Sequence, residues 1–387
     1  MIELSKDQNL ALKKLLSWYK GKDTPFITLG GYAGTGKTTL ISILRNEIAK
    51  NKKELKVSFC SYTGKATRVL RNKLIESNAT FQQDNISTIH SLIYSPILNS
   101  KKEISGWERK KEIEFDLLII DEASMIDQNI WYDLLSYKIP IIAVGDHGQL
   151  PPISGNFNLI QKPEIRLEEI HRQAKDNPII AMSLLAREKG FIPSGDYGYN
   201  VMKVDKGSNN SQEVIGELLE NYKKDTLLIC GYNTTRVKLN KFIRQTLNFE
   251  YPQPSNGDRV ICLKNNSSKS IFNGMLGTIR SISHDEGDNF YIAKIEMDGE
   301  DDFYKGLIRV DQFNNSESLS FAKEKSVRDD MDYFDFGYAL TVHKAQGSQS
   351  KRVILFEERF KQMDDDMWKR WLYTAVTRAE SELFIVG

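Results

Sequence analysis

The stretch that decides the fold reads Gly31-Tyr32-Ala33-Gly34-Thr35-Gly36-Lys37-Thr38 and matches G-x-x-x-x-G-K-[ST] at every fixed position. The apolar run Phe26–Leu29 precedes it, and Leu40, Leu44 and Ile48 follow at helical spacing. A strand, a glycine-rich turn and a helix in this order is the context in which the pattern binds phosphate. We therefore predict a phosphate-binding loop at residues 31–38, called the phosphate loop below, rather than an ordinary glycine-rich turn.

The chemistry of the loop assigns a role to each residue type. Glycines allow backbone N–H groups to converge on phosphate oxygens, and the helix N-terminus adds partial positive charge. Lys37 is expected to reach the β- and γ-phosphates, and the Thr38 hydroxyl to ligate Mg²⁺. The candidate nucleotide-binding residues here are Gly34, Thr35, Gly36, Lys37, Thr38 and Thr39.

A second chemical signal lies in Leu117-Leu118-Ile119-Ile120-Asp121-Glu122, an apolar strand that ends in two acids. Acids at a strand end lie at the carboxyl edge of a parallel sheet, where open α/β folds bind ligands. Asp121 is expected to hold Mg²⁺, and Glu122 to orient or deprotonate the attacking water. A strand-end turn with solvated carboxylates is the alternative, but the phosphate loop favours hydrolysis of a nucleoside triphosphate.

Short apolar runs alternate with amphipathic stretches along the chain, which is typical of parallel sheets covered by helices. The strand candidates form one group that ends near residue 150 and another that starts near 226, so two α/β cores are predicted. They are Phe26–Leu29, Lys56–Ser61, Leu117–Asp121, Ile141–Val144, Thr226–Cys230, Val353–Phe356 and Leu383–Val386.

Two insertions interrupt the cores. Residues 93–114 contain Ser105-Gly106, which we interpret as the turn of a hairpin. Between residues 253 and 333 the pattern changes to β-type runs separated by Gly, Asn and Asp, which predicts a small β-barrel. Its strand candidates are Arg259–Leu263, Thr278–Ile282, Tyr291–Glu296 and Phe303–Val310.

Five further motifs follow in order, together with Ser61–Ala66 and Thr88–Ser91. They are Asp121–Met125, Gly145–Pro152, His171–Gln173, Tyr338–Ser348 and Leu372–Ala379. The series resembles the superfamily 1B DNA helicases of the RecD-like and Dda-like group over the whole chain. Tyr62 and Thr67 depart from the family pattern, since many relatives have Pro and a small residue there.

The resemblance implies two RecA-like parallel-sheet cores, with ATP bound between them and single-stranded DNA crossing both. It places the first core at 1–92 and 115–175, a strand-separating pin at 93–114, the second core at 176–252 and 334–387, and an SH3-like β insertion at 253–333. The Asn273-Gly274 turn fits that insertion.

The resemblance also implies site residues. Lys37, Glu122 and Gln149 would serve catalysis, with Gln149 as the γ-phosphate sensor, and Gly347 would contact nucleotide. Arg172 and Arg378 would be arginine fingers, a task suited to a planar guanidinium that can bind two phosphate oxygens. The residues that match strand-backbone contacts are Thr63, Lys65, His90, Thr341, His343 and Lys344.

Two residues keep alternative interpretations. Gln8 resembles the adenine-reading glutamine of many helicases, but Ser5-Lys6-Asp7-Gln8 is also a capping box that opens the first helix. Trp107, beside the predicted turn, would either stack on the base pair being opened or anchor the hairpin on the core.

Composition excludes several classes. The 387 residues carry 53 Lys and Arg against 52 Asp and Glu, so a histone-like coat is excluded but a groove binder is not. Cys60, Cys230 and Cys262 lack zinc spacing and are odd in number, which fits the reducing cytoplasm of a bacterial or phage-infected cell. No apolar run reaches membrane-span length and no signal peptide pattern opens the chain.

The sequence thus predicts a helicase that moves on single-stranded DNA, 5′ to 3′ as the resemblance implies, and opens forked duplexes with ATP and Mg²⁺. The predicted pin is short, which bears on the strength of unwinding more than on translocation. A translocase that displaces proteins with little unwinding is one alternative. An ATP-dependent nucleic-acid-binding switch is another, and RNA stays open as the track because backbone contacts alone do not exclude a 2′-hydroxyl. We expect activity as a monomer.

Overall fold

The structure is a computed structural model that describes residues 4–21, 23–51, 54–98, 104–151, 157–170, 177–249, 252–264, 266, 269–284, 289–300, 302–316 and 331–387. The chain folds as two compact units. The first comprises Met1–Ser95, Glu108–Glu188 and Lys369–Thr377, and the second comprises Pro96–Trp107, Lys189–Trp368 and Arg378–Gly387.

The described helices are α1 (Lys6–Gly21), α2 (Lys37–Asn51), α3 (Gly64–Glu76), α4 (Ile89–Ile93), α5 (Gln128–Ser136), α6 (Pro178–Lys189), α7 (Ser211–Glu220), α8 (Asn233–Thr246) and α9 (Asp365–Val376). A short 3₁₀ turn covers Ala123–Met125.

The described strands are β1 (Phe26–Gly31), β2 (Val57–Ser61), β3 (Asn85–Thr88), β4 (Tyr94–Leu98), β5 (Ile104–Arg109), β6 (Leu117–Asp121), β7 (Ile141–Gly145), β8 (Ile165–Leu167), β9 (Gly195–Asp196), β10 (Val201–Val204), β11 (Thr226–Cys230), β12 (Arg259–Cys262), β13 (Leu276–Ser283), β14 (Phe290–Met297), β15 (Phe303–Arg309), β16 (Met331–Asp332), β17 (Phe334–Phe336), β18 (Ala339–Thr341), β19 (Ser350–Phe356) and β20 (Ala379–Val386).

The first unit is built on a six-stranded parallel sheet in the order β3-β2-β6-β7-β1-β8. Apolar side chains of α1, α2 and α3 pack in one core cluster, and those of α4 and α5 pack in another. A strand that is buried on both faces has a continuous run of apolar residues in its sequence. For this reason the predicted bounds of β6, Leu117–Asp121, agree with the observed ones. The order makes β1, β7 and β6 neighbours, so the loops that follow them meet at one carboxyl edge.

The second unit contains a sheet in the order β18-β11-β19-β20-β10-β9, parallel except for the short antiparallel β9. The predicted strand Thr226–Cys230 is confirmed, and β19 and β20 begin a few residues earlier than predicted. The prediction missed β18 and β10 because each has only three or four residues. Two mostly parallel sheets are therefore present, as the alternation of runs predicts.

The inserted β-type runs form a third sheet in the order β16-β15-β14-β13-β12-β17. Its pairs are antiparallel except for β15 with β16, and Ile279, Ile295 and Ile308 lie in its own apolar core. A buried ion pair between Arg244 of α8 and Asp258 ties this sheet to the second parallel sheet.

The insertion contains two paired strands, as a hairpin would, but the predicted turn is wrong. Strands β4 and β5 form a two-stranded sheet, and Ser105-Gly106 lies inside β5. Without Asn or Asp, a Ser-Gly pair has little turn preference, so pairing with β4 decides its conformation. The residues that join the two strands, 99–103, lie outside the described part of the chain. Trp107 is therefore a strand residue rather than a neighbour of the turn.

The three cysteines are buried and unpaired, one in each six-stranded sheet: Cys60 in β2, Cys230 in β11 and Cys262 in β12. Burial raises the pKa of Cys60 and that of Cys262 to about 12, and it also raises the pKa of Cys230. None of the described helices is both long and apolar enough to span a membrane.

Candidate nucleotide site and nucleic-acid contacts

The phosphate loop is folded around its own lysine. Gly34 and Gly36 have φ values of 79° and 74°, in the left-handed region that glycine adopts without strain. The Lys37 ammonium donates to the carbonyl of Gly31 at 2.7 Å and to that of Tyr32 at 3.0 Å. Helix α2 begins at Lys37, so Thr38 and Thr39 lie in its first turn. The loop therefore presents a cation and a helix N-terminus together, the arrangement that binds phosphate.

The predicted acids lie two strands away at the same carboxyl edge. Asp121 ends β6, and its Oδ1 accepts from the backbone N–H of Glu122 at 2.9 Å. Burial raises the pKa of Asp121, while that hydrogen bond and the charge of Lys37 oppose the rise. Glu122 has φ 54° and ψ 37°, a left-handed conformation that is unfavourable for a side chain and recurs at functional sites.

Between them, β7 leads into residues Gly145–Leu150, called the sensor loop below. Asp146 and Gln149 are both buried. Asp146 Oδ1 accepts from the N–H of Gly148 at 2.9 Å, and Gln149 Nε2 lies 3.4 Å from Asp146 Oδ2. In the described part of the chain Gln149 Oε1 is buried without a hydrogen-bond partner. A buried amide oxygen in that condition is suited to accept from a bound water or ligand.

Helix α9 holds the sensor loop through residues to which sequence reasoning gave no role. Arg370 Nη1 donates to the carbonyl of His147 at 2.8 Å, and Thr374 Oγ1 accepts from the N–H of Leu150 at 2.9 Å. Tyr373 donates to Asp146 Oδ2 at 2.6 Å and accepts from the N–H of Ala33 at 2.8 Å. The spacing i, i+3, i+4 was the available signal, because it places these three residues on one helical face.

Tyr32 of the phosphate loop is enclosed by two further unpredicted contacts. The Arg187 guanidinium lies 3.6 Å from the centre of its ring, and the His147 imidazole centre lies 4.2 Å away. Burial lowers the pKa of His147 despite the opposing charge of Asp146. The histidine is consequently neutral at pH 7, and its ring packs on that of Tyr32 at an angle of 47°.

Gln8 and Ser5 form the predicted capping box at the start of α1. Ser5 N–H donates to Gln8 Oε1 at 3.1 Å, and Gln8 N–H donates to Ser5 Oγ at 3.3 Å. Gln8 Nε2 also donates to the Thr35 carbonyl in the phosphate loop at 3.0 Å. The glutamine thus connects the start of α1 to the loop, and its contact with adenine stays a prediction.

The predicted nucleic-acid residues of the first unit follow β2 and β3. Thr63 caps α3 by accepting from the Ala66 N–H at 3.2 Å, and Lys65 lies in the first turn of that helix. His90 is the second residue of α4 and is buried, which lowers its pKa. The Tyr62 ring centre lies 5.8 Å from that of His90, so this departure from the family pattern is packed into the site.

The predicted residues of the second unit gather in and around the turn after β18. Thr341 ends β18, and Gly347 has a φ of 71°. Burial lowers the pKa of His343, and it lowers that of Lys344 to about 8. Arg378 is buried, and its Nη1 donates to the Ser348 carbonyl at 3.3 Å. The structure therefore brings Arg378 beside the turn that contains Gly347.

Two of the predicted site residues, Arg172 and Trp107, are not placed with the others. Arg172 lies outside the described residues. Trp107 is half-buried, and its Nε1 is buried with no hydrogen-bond partner in the described structure.

The regions that contain these residues are similar in sequence to known protein domains and to known helicases. The AAA domain model matches residues 20–155, and the UvrD-like helicase C-terminal domain model matches residues 336–386. The chain is 29% identical to the ATP-dependent RecD2 DNA helicase of Deinococcus radiodurans, covering 93% of this chain and 47% of that protein. It is 23% identical to the ATP-dependent DNA helicase Dda of phage T4, covering 93% and 94% respectively.

The chain thus spans about half the length of RecD2. A solved Pif1 helicase, described with DNA unwinding at forked double-stranded DNA, is similar in fold, with a TM-score of 0.51 and 18% identity over 100% of this chain and 92% of that one. The chain is thus similar over most of its length to proteins named as ATP-dependent DNA helicases, and its fold is similar to that of a solved Pif1 helicase.

Proposed function

We propose that the chain is an ATP-dependent DNA helicase that moves 5′ to 3′ on single-stranded DNA and couples hydrolysis to duplex opening. One observation carries the proposal: Lys37 follows β1, Gln149 follows β7 and Asp121 ends β6. These three strands are adjacent in one parallel sheet, so the three residues lie at one carboxyl edge. RecD2 and Dda are both named ATP-dependent DNA helicases, which supports the same activity here.

The site residues divide the catalytic task. The phosphate loop binds the triphosphate, Glu122 orients or deprotonates the attacking water, and Gln149 contacts the γ-phosphate. Arg172 and Arg378 neutralise charge on the transferred phosphoryl group. Catalysis of this kind is positioning plus electrostatics, so Arg378→Ala is expected to lower kcat far more than ATP affinity.

The donor set fits Mg²⁺, for which the hydroxyl of Thr38 and the carboxylate of Asp121 are hard oxygen ligands. Asp121 ends β6 at the edge where the phosphates are proposed to bind, and the charge of Lys37 opposes the rise in its pKa that burial causes. Among the described residues no group of three or more His, Cys, Asp or Glu is placed to hold a metal. Mg²⁺ held by one carboxylate and substrate phosphates needs no such group, and it would neutralise phosphate charge.

We propose the domain boundaries on the same basis. The first RecA-like core comprises 1–92 and 115–175, with the pin at 93–114. The second core comprises 176–252 and 334–387, and the SH3-like insertion occupies 253–333. The third sheet, which runs from β12 to β17 with its own apolar core, supports the insertion.

We propose that single-stranded DNA contacts Thr63, Lys65 and His90 in the first core and Thr341, His343 and Lys344 in the second. These hydroxyl, imidazole and ammonium groups can bind phosphates without reading sequence. The track is DNA rather than RNA because the named relatives are DNA helicases.

Unwinding of matched duplexes with either a 5′ or a 3′ single-stranded tail tests the proposal, with Lys37→Ala as the control. We expect the wild type with Mg²⁺-ATP to open the 5′-tailed duplex only, and the variant to open neither. Opening of the 3′-tailed duplex alone would contradict the polarity, and absence of ATP hydrolysis would contradict the activity.

The short pin favours a second candidate, a translocase that displaces bound proteins with little unwinding. The two strands of the hairpin have only five and six residues. Streptavidin release from a biotinylated single strand, without opening of a forked duplex, would support the translocase over the helicase. A switch that grips DNA without moving would show an ATPase rate independent of oligonucleotide length.

A further inference from the structure

One buried hydroxyl joins the phosphate loop to the sensor loop. Tyr373 is 1% exposed, and its oxygen accepts from the Ala33 N–H at 2.8 Å while its proton is donated to Asp146 Oδ2 at 2.6 Å. A phenol has one proton and also accepts, so it makes both bonds at once. Phenylalanine would fill the same space and make neither bond.

The phenol stays protonated across the range in which enzymes work. Burial raises the pKa of Tyr373 well above its ordinary value, and the charge of Asp146 raises it further. The Tyr373 hydroxyl therefore keeps its proton near pH 7 and continues to donate to Asp146. Asp146 is buried as well, so loss of the hydroxyl would leave both the carboxylate and the Ala33 N–H poorly satisfied.

Asp146 carries the link onward to Gln149. Its Oδ1 accepts from the Gly148 N–H at 2.9 Å, and Gln149 Nε2 lies 3.4 Å from its Oδ2. The amide oxygen of Gln149 is buried and has no hydrogen-bond partner within the described residues. The glutamine is thus oriented through its nitrogen, which leaves its oxygen to meet a ligand.

We propose that Tyr373 is a positioning residue for ATP hydrolysis, which holds the sensor loop to the phosphate loop through Asp146 and so orients Gln149, the proposed γ-phosphate sensor, with its amide oxygen available to accept from water at the γ-phosphate. The inference rests on the proposed function and deepens it. Tyr373 touches Ala33 and Asp146 rather than the reacting atoms, so its effect passes through Gln149.

Tyr373→Phe tests the inference, with Tyr304→Phe as a matched control. Tyr304 is also buried and donates to an aspartate, Asp332, at 2.7 Å, but it belongs to the third sheet. With single-stranded DNA present, we expect Tyr373→Phe to lower kcat about tenfold, equivalent to about 1.4 kcal/mol, with KM for ATP within about twofold. Tyr304→Phe should change neither constant by more than about twofold. A kcat retained in folded Tyr373→Phe would overturn the inference.

The route through Gln149 is tested by combining variants. In a Gln149→Ala background Tyr373→Phe should lower kcat by less than about twofold, because residues that act together are not additive. A further tenfold loss there would overturn the route. Should Tyr373→Phe not fold, Asp146→Asn is the second variant; it keeps the side-chain shape and is expected to show the same fall in kcat with little change in KM.

The wild type and Lys37→Ala separate this inference from the proposed function. If the wild type does not hydrolyse ATP, the proposed function fails and this inference fails with it. If the wild type is active and Lys37→Ala inactive, while Tyr373→Phe equals the wild type, only the inference fails.

Discussion

Lys344 is a half-buried cation in the turn after β18, and its charge depends on pH within an accessible range. Burial, followed by the charge of Arg236, lowers its pKa from 10.5 to about 8, while Asp335 opposes the shift. Only the ammonium can bind a DNA phosphate, and that phosphate would raise the pKa again. We therefore expect DNA affinity to be constant below pH 8 and to fall above it.

Fluorescence anisotropy with a single-stranded oligonucleotide between pH 7 and 9.5 measures this effect. The wild type should lose about five- to tenfold in affinity, and Lys344→Arg should lose less than about twofold because arginine stays charged.

The free energy of unfolding should change in the opposite direction to DNA affinity. Between pH 8 and 10.5 the unfolded chain binds more protons at Lys344 than the folded chain does, so this lysine makes the free energy of unfolding rise with pH in that range. A flat wild-type affinity profile would contradict the assignment.

Gly148 is required by a close approach inside the sensor loop. An added Cβ would lie 2.8 Å from Cε1 of Tyr32 and 3.1 Å from Cε1 of Tyr373, so either the sensor loop or the Tyr32 ring would have to move. Small displacements of catalytic groups are costly, and Gly148→Ala is expected to lower kcat for ATP hydrolysis by about 10- to 100-fold.

Gly216→Ala is the matched control for that substitution. Gly216 lies inside α7 with nothing within 4 Å of the added Cβ. Alanine there should stabilise the helix by up to about 1 kcal/mol and leave kcat unchanged. Equal turnover in the two variants would show that the sensor loop tolerates the added methyl group.

At the scale of elements, α1 connects to the nucleotide site through its first turn. Gln8→Glu keeps an oxygen to accept from Ser5 N–H but removes the donor to the Thr35 carbonyl. If Gln8 acts by supporting the phosphate loop, KM should rise by the same factor for ATP and GTP. If Gln8 reads adenine, KM for ATP should rise alone, so steady-state kinetics with both nucleotides distinguish the two roles.

The sequence predicted elements well where one local signal decided them. Leu117–Asp121 is buried on both faces and therefore continuously apolar, and the phosphate loop follows from glycine conformation and a helix start. The turn at Ser105-Gly106 was wrong because strand pairing overrode a weak local preference. Tyr373 and Arg187 received no role, because their contacts join residues far apart in the chain. The helical spacing of Arg370, Tyr373 and Thr374 indicates a shared face, but it does not indicate what that face contacts.

At the scale of the whole molecule, the third sheet is fastened to the second parallel sheet by buried charge. Arg244 donates to both oxygens of Asp258, and Tyr338 donates to the same carboxylate at 2.7 Å. Arg244→Ala would leave a buried carboxylate without its cation, and we expect a loss of about 3–5 kcal/mol in the free energy of unfolding.

Urea denaturation followed by circular dichroism checks this expectation, with Lys50→Ala as the control. Lys50 pairs with Glu47 on the surface, where the lysine side chain is 67% exposed, so its loss should change stability by less than about 0.5 kcal/mol. Similar small effects in both variants would show that the buried pair does not fasten the sheets.

Because each six-stranded sheet contains one buried cysteine, the rate at which that thiol is labelled reports how often its sheet opens. Only thiolates react readily with maleimides, and burial keeps these thiols protonated and covered. Cys60, Cys230 and Cys262 should therefore each be labelled only when the sheet that contains it opens. ATP at about 100 times its Kd should slow labelling of Cys60 about 100-fold if that sheet must release nucleotide to open, and leave Cys262 unchanged. Peptide mass spectrometry reads the three rates from one sample, and equal slowing of all three would mean that the sheets open together.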